Sequence, residues 1–315
     1  MSAISVLISI YKEPEVYIAE AVKSILNQTL SDIEIIIVND NPQRKEIKGF
    51  VSSFNDERII FIQNEKNLGL ALSMNKAAEY ATAPYLARMD ADDIAEPERL
   101  EKEYALIVTG QYDLIFSGYS YIDKDSKPCG EMQLPAISSE NELIKQILTK
   151  SIIHHPTVMM TKEIFNRVEG YRDFPCAQDL DLWQRMYYSG CRFCMVPRIL
   201  LKYRMNPSSV SATKWYQQQL TIYYINRLFL ERIQKGKDNY SKTAYETYLL
   251  KNRYMDDSAS DKLERAVSFL KKAKQYAEIN RKPLSFLCRA IAFCISSRLR
   301  NNFITSKRIL QLLGL

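Results

Sequence analysis

Apolar positions in the first 120 residues come in unbroken blocks separated by helical periodicity. Residues 3–10 (AISVLISI) are apolar and of strand length, and Pro14 then opens a segment in which Ile18, Val22, Ile25 and Leu26 recur at helical spacing. Residues 33–38 (IEIIIV) make a second strand, stopped by Asn39-Asp40-Asn41-Pro42. Residues 58–62 (RIIFI) make a third, followed by Asn64 to Gly69 and a helix bearing Leu72, Ala77 and Ala78. A fourth, residues 85–89, runs straight into Asp90-Ala91-Asp92-Asp93 and a helix whose first turn is marked by Pro97. Strands apolar on both faces, alternating with helices of about 10–15 residues, predict an α/β fold with a parallel sheet and helices on both sides.

Beyond Asp113 the pattern changes. Residues 113–117 read as a strand, and 119–123 with 129–134 as an antiparallel excursion around Lys124-Asp-Ser-Lys-Pro128. A helix near 140–148, a strand at 158–161 and strands at 192–196 and 199–204 follow. From Ala212 the chain reads as helices: 216–233, 243–254, 261–278, 284–299 and 304–313. This predicts two domains, 1–211 and a basic α-helical region, 212–315.

Charge sharpens that division. The net +6 conceals 23 Lys and Arg against 29 Asp and Glu in residues 1–211, and 20 against 8 in residues 212–315. In the tail, Leu284, Leu287, Ile291 and Ile295 share a face, with Arg289, Arg298 and Arg300 around it. Such a segment is too short and too charged to span a bilayer. It can lie on an anionic membrane surface, or these helices can bundle with their lysines solvated; both readings stay open. No recognised nucleic-acid-binding module accompanies the charge, so no nucleic-acid partner is expected.

The apolar and charged fractions, 46% and 25%, are those of an ordinary globular protein. Six scattered cysteines and the lack of a leader pattern at Met1 point to a reducing, cytoplasmic setting. Cys191-Arg-Phe-Cys194 has redox or zinc spacing, but it lies in a strand-like run with no second pair, which favours buried structural thiols.

The chemistry gathers at the acidic cluster. Three carboxylates within four residues repel and raise one another's pKa, so they need water, a basic partner or a metal. Carboxylates suit Mg²⁺ or Mn²⁺ held together with substrate phosphates, while an acidic loop capping the next helix accounts for the spacing equally well. Ligands of such sheets bind beyond the carboxyl ends of the strands. That rule collects Ser9, Tyr11, Asp40, Asn67 and Asp90 to Asp93 on one rim. Tyr11 offers a ring for a base and Asp40 an acceptor for a base or ribose donor, although each alone is more commonly a turn residue. Neither Gly-x-Gly-x-x-Gly nor a P-loop occurs.

Two other segments carry candidates. His154-His155-Pro156 is extended by its proline, so both rings cannot easily serve one metal; His155 is a metal ligand or part of a loop wall facing an acceptor. With only two histidines, a His-rich zinc site is excluded. Asp179 begins a helix and can be a plain N-cap, whereas Asp181 and Arg185 can pair at i,i+4 with Leu182 buried.

Taken together, Ile4-Ser-Val-Leu-Ile-Ser-Ile-Tyr11, Ser24-Ile-Leu-Asn-Gln-Thr, Ile35-Ile-Ile-Val-Asn-Asp40, Asn67-Leu-Gly69, Ala87-Arg-Met-Asp90-Ala-Asp92-Asp93, Pro97-Glu-Arg-Leu, His155-Pro-Thr and Gln178-Asp179-Leu-Asp-Leu-Trp resemble the family 2 glycosyltransferases in order and spacing. The resemblance covers roughly residues 3–211. It implies the GT-A fold, a mixed and mainly parallel sheet, and an inverting transfer from a nucleoside-diphosphate sugar, with UDP as the expected carrier. The acceptor it implies is a glycan or lipid-linked hydroxyl of the bacterial surface-polysaccharide type, reached from the cytoplasm or the inner face of the membrane. It assigns Asp92 to a divalent metal and Asp90 to the ribose, with Arg88 and Asp93 in the same element. Ser9, Tyr11, Asp40 and Asn67 fall to the nucleotide, and Asp179 to the general base.

Three positions depart from the family pattern. Lys12 stands where Asn is frequent, and Gln178 replaces a Glu, which should lower the pKa of Asp179 and keep it ionised. Asn206 stands where many relatives place a metal-completing histidine; its amide oxygen could still serve a hard cation. A sugar-nucleotide nucleotidyltransferase, or a non-catalytic sugar-nucleotide-binding or membrane scaffold on the same fold, remain the alternatives.

Overall fold

The computed structural model describes residues 2–150, 152–206, 214–252, 254–278 and 281–315. The chain divides into two compact units, Met1–Pro207 and Ser208–Leu315. The boundary expected at 211/212 falls within residues 207–213, outside the described ones.

The first unit is built on one eight-stranded mixed sheet. Strands β1 (Ile4–Ile10), β2 (Ile33–Asn39), β3 (Ile59–Gln63) and β4 (Tyr85–Asp90) run parallel in the order β3-β2-β1-β4. All seven residues of β2 are buried, which is why its run is apolar without alternation. Beyond β4 the order continues through β7 (Val158–Thr161), β6 (Leu114–Ile122), β8 (Phe193–Arg204) and the two-residue β5 (Ile94–Ala95). Here β7 is antiparallel to both β4 and β6, so the expected parallel sheet turns mixed at this point. Nothing in a short, largely buried strand such as VMMT signals its direction.

Two other expectations are revised. The excursion after β6 is reduced to two isolated antiparallel bridges, Tyr119 to Gln133 and Ile122 to Pro128, because residues 119–122 continue β6 alongside β8. The strands expected at 192–196 and 199–204 are one strand, β8, with register shifts opposite Ser117 to Tyr119.

Helices α1 (Glu15–Leu26), α2 (Glu46–Ser52), α3 (Leu70–Tyr80) and α4 (Arg99–Ile107) connect the first strands. Pro97 lies in the turn before α4 rather than in its first helical turn. Gln28 explains the position: its Oε1 accepts from Leu100 N at 2.9 Å, and its Nε2 donates to Glu96 O at 2.8 Å. Ser24 Oγ likewise accepts from Ala95 N at 3.0 Å, so the end of α1 holds the segment that follows the acidic cluster. Helices α5 (Glu140–Lys150), α6 (Lys162–Arg167) and α7 (Gln178–Tyr188) complete this unit's helices among the described residues.

The second unit is helical: α8 (Trp215–Lys235), α9 (Lys242–Lys251), α10 (Asp257–Glu278), α11 (Lys282–Ile295) and α12 (Ser297–Leu313). None of the described helices is long and apolar enough to cross a membrane.

Candidate active site

The parallel register puts Ser9 directly beside Asp90, at the carboxyl ends of β1 and β4. Tyr11 follows in the next turn; its N–H donates to Glu13 Oε2 at 2.6 Å, and Lys12 Nζ lies 5.1 Å from its ring centroid. Asn41 Nδ2 donates to Tyr11 O at 3.1 Å and ties the loops after β1 and β2 together. Asp40 is buried and already has three donors: Asn64 Nδ2, Leu68 N and Gly69 N, each at 2.8 Å. Its carboxylate therefore shapes the 64–69 loop, with capacity for a further donor because a carboxylate offers about four acceptor sites. Asn67 is exposed in that loop, and its Oδ1 accepts from Gly69 N at 2.9 Å. Gly69, at φ +83°, is the residue that lets the chain turn there.

Asp90, Asp92 and Asp93 each place a carboxylate oxygen within 4.8 Å of the others. Asp90 is ion-paired with Arg88. Asp93 is fully buried; one oxygen accepts from Arg204 N at 2.9 Å and the other has no partner. Burial, then Asp90 and Glu13, push the Asp92 carboxyl up to about 7. Burial and both neighbouring aspartates hold Asp93 well above the ordinary carboxylate range. An all-oxygen set under mutual repulsion, with one orphaned buried oxygen, fits a hard divalent cation. This favours the metal-binding reading of the cluster over that of a helix cap, since none of the three side chains caps α4.

Arg88 is buried, and its Nε and Nη1 have no partner. Its backbone is fixed from below: Arg99 Nη2 donates to Arg88 O at 2.8 Å, and Arg99 is itself buried with Glu103 at 3.3 Å. Burial pushes the Glu103 carboxyl up to about 7 despite that arginine.

Asp179 is the second residue of α7, not its N-cap; that position is Ala177, which adopts left-handed backbone at φ 55°. A non-glycine residue held there carries strain of order 1–3 kcal/mol, of the kind that collects at functional sites. The Asp179 carboxyl is raised from its ordinary value, chiefly by desolvation, against the opposing effects of Leu180 N–H at 2.9 Å and Arg88. Gln178 spares Asp179 a neighbouring negative charge, and burial nonetheless sets the net shift upward.

His155 is buried, with Nε2 and Tyr171 Oη 2.6 Å apart, and its ring meets those of Tyr171 and Trp183. Burial pushes its pKa well below the usual value, and among the described residues it joins no group of metal-binding side chains. Tyr171 is held in turn by both backbone hydrogen bonds to Asn75, at 2.8 Å each. Gly170 makes this possible, since a Cβ there would lie 2.6 Å from Asn75 Oδ1. Asp181 pairs with Arg185 at 2.8 Å and with Arg172 at 3.4 Å, which is the ion-pair reading of that residue. Asn206 lies two residues beyond Arg204, after β8 has ended.

A family model, "Glycosyl transferase family 2", matches residues 5–169, which is more than half of the chain. The chain belongs to glycosyl transferase family 2. It is 34% identical over 245 residues to an uncharacterized glycosyltransferase of Methanocaldococcus jannaschii, covering 77% of this chain and 83% of that protein. It is 29% identical to the amylovoran biosynthesis glycosyltransferase of Erwinia amylovora, over 74% of this chain and 87% of the relative. Its fold is that of S. aureus TarS 1-349, solved in complex with UDP-GlcNAc, at a TM-score of 0.61, 16% identity, 81% coverage of this chain and 72% of that one. The protein is therefore a glycosyltransferase with the GT-A type of α/β fold.

Sequence reasoning missed several residues of this transferase's site. Arg204 is buried and donates to Asp92 O at 2.8 Å, to Asp123 O at 2.9 Å and to Glu20 Oε2 at 2.5 Å, so it locks the acidic turn to α1 and to the loop after β6. Its guanidinium lies 4.1 Å from the Tyr17 ring centroid. An aromatic cluster of Tyr119, Tyr121, His154 and Tyr203 was missed as well. His154 stacks on Tyr119 at 4.2 Å and meets Tyr203 edge-on at 4.3 Å, and burial, then the three aspartates, raise the pKa of Tyr203. The strand alternation of Tyr119 and Tyr121 could have signalled a shared face; their partners on β8 and before β7 could not be read from spacing.

Proposed function

We propose that this glycosyltransferase moves a sugar from a UDP-linked donor to a hydroxyl of a growing, lipid-linked surface glycan. The observation that carries this reading is the cluster of Asp90, Asp92 and Asp93 at the sheet edge, with Arg88 ion-paired to Asp90 and its charge lowering the Asp179 pKa. Asp92 with Asp90 would hold a divalent metal, Mg²⁺ or Mn²⁺, which when bound neutralises charge developing on the leaving diphosphate. Ser9, Tyr11 and the loop that Asp40 shapes around Asn67 form the nucleotide side. Asp179 accepts the proton of the acceptor hydroxyl as that oxygen attacks the anomeric carbon, and the nucleoside diphosphate leaves from the opposite face. The rings of Tyr121 and Tyr203 give a sugar ring an apolar platform. The names of relatives from amylovoran and O-antigen biosynthesis support the surface-polysaccharide setting, and TarS with UDP-GlcNAc supports a UDP-linked donor.

Thermal stability against UDP-, GDP-, dTDP- and CMP-sugars, with and without Mn²⁺, tests the donor. A ligand bound only by the folded form raises stability by mass action. UDP-sugars alone should raise the melting temperature, only with metal, and Asp92→Ala should abolish the rise. A metal-independent shift, or one from another nucleotide, would contradict the proposal.

A further inference from the structure

Helix α11 is turned the wrong way round for a helix of a globular bundle. The residues it buries are Ser285, Cys288 and Ala292, small and spaced by three and four; Ser285 Oγ donates to Ala273 O of α10 at 2.7 Å. Three bulky apolar side chains of its first half point outward, Phe286 at 76% exposed, Leu287 at 54% and Leu284 at 38%, while Ile291, Phe293 and Ile295 are half-buried. By helical geometry Pro283, Phe286, Leu287, Ala290 and Cys294 share one arc opposite the buried residues, and none of them is polar or charged. Lys282 and Arg289 stand together at the edge of that arc. Residues 281–315 hold seven Lys and Arg and no Asp or Glu.

We propose that the outward face of α11 docks on an anionic phospholipid bilayer. Packing against α10 takes the small side of the helix and Phe293 meets Phe303 of α12 at 5.1 Å, which leaves Phe286 and Leu287 to solvent or a partner. Contiguous exposed apolar surface marks an interaction site. A second copy of this chain would set Lys282 and Arg289 against the same two cations of its partner, and residues 281–315 hold no carboxylate to offset them. An anionic lipid surface instead complements the charge while its acyl boundary receives Phe286 and Leu287, the arrangement of an interfacial helix that lies in the headgroup plane. This inference does not depend on the donor or on the role of Asp179.

The test is co-sedimentation of the full chain with phosphatidylcholine vesicles, with or without phosphatidylglycerol, beside sedimentation velocity without lipid. The protein should partition onto the phosphatidylglycerol vesicles about tenfold more strongly, and added salt should weaken the binding. Phe286→Ser with Leu287→Ser, both at exposed positions, should keep the melting temperature and lower partitioning by about tenfold or more. Arg289→Gln should lower it by about fivefold. Equal binding of wild type and the double variant, or no binding, would overturn the proposal. So would a lipid-independent dimer that the double variant dissociates, since the face would then join two copies.

Discussion

Asp179 shows how burial can outweigh a substitution beside it. Gln178 removes a charge that would have raised the Asp179 pKa, yet desolvation raises it regardless. A base works only when ionised, so the rate of nucleotide release under donor saturation should fall as pH drops through this raised value. The acid limb should lie above the ordinary carboxylate pKa of about 3.9. Arg88 lowers the Asp179 pKa, so Arg88→Gln should move the limb to still higher pH, as a pH–rate profile would record. His154 gives a matching prediction for stability. Its pKa is lowered to about 4, first by burial, so its neutral form is favoured on folding. That contribution is complete above about 6.5 and is lost as pH falls toward 4, because the unfolded chain takes up a proton that the folded one resists. His154→Phe keeps a ring against Tyr119 and cannot titrate. Urea unfolding at pH 7.5 and 4.5 should therefore show the wild type losing on the order of 2–3 kcal/mol relative to this variant.

Among the elements, the strands of the first half were legible because a buried parallel strand must be apolar on both faces, and residues 33–38 could be little else. The rim residues followed from where those strands end. What remained hidden was relational. Gln28 reads as a polar residue at the end of α1, and only the fold brings it under Leu100 and Glu96. Its removal leaves a buried N–H unpaired, so Gln28→Ala should cost about 1–3 kcal/mol in chemical denaturation. It should also weaken nucleotide binding, because the segment it supports follows directly on the acidic cluster. The direction of β7 and the latch made by Arg204 were hidden for the same reason, since both depend on partners more than 40 residues away in sequence.

At the scale of the whole molecule, the charge division read from the sequence corresponds to two units of different composition. The first carries the sheet and every residue assigned to the nucleotide, the metal or the base. The second is helical and basic, and its α11 carries an exposed apolar face with Lys282 and Arg289 at one edge. The sequence marked this tail as amphipathic and left open whether the apolar side faces a bundle or a membrane. That choice depended on small residues, Ser285, Cys288 and Ala292, which carry little weight in a hydrophobic pattern but form the packed side. In the proposed reaction the donor binds at the carboxyl ends of the strands and Asp179, at the start of α7, removes the proton.

Titration calorimetry of UDP in the presence of Mn²⁺, on wild type, Asp92→Ala and Asp179→Asn, tests that division most directly. The account predicts that Asp92→Ala weakens UDP binding at least about tenfold, the loss of a charge-assisted metal contact. Asp179→Asn should bind UDP within about threefold of wild type while losing turnover of the UDP-sugar. Equal binding by wild type and Asp92→Ala, or loss of binding in Asp179→Asn with the fold intact, would contradict it.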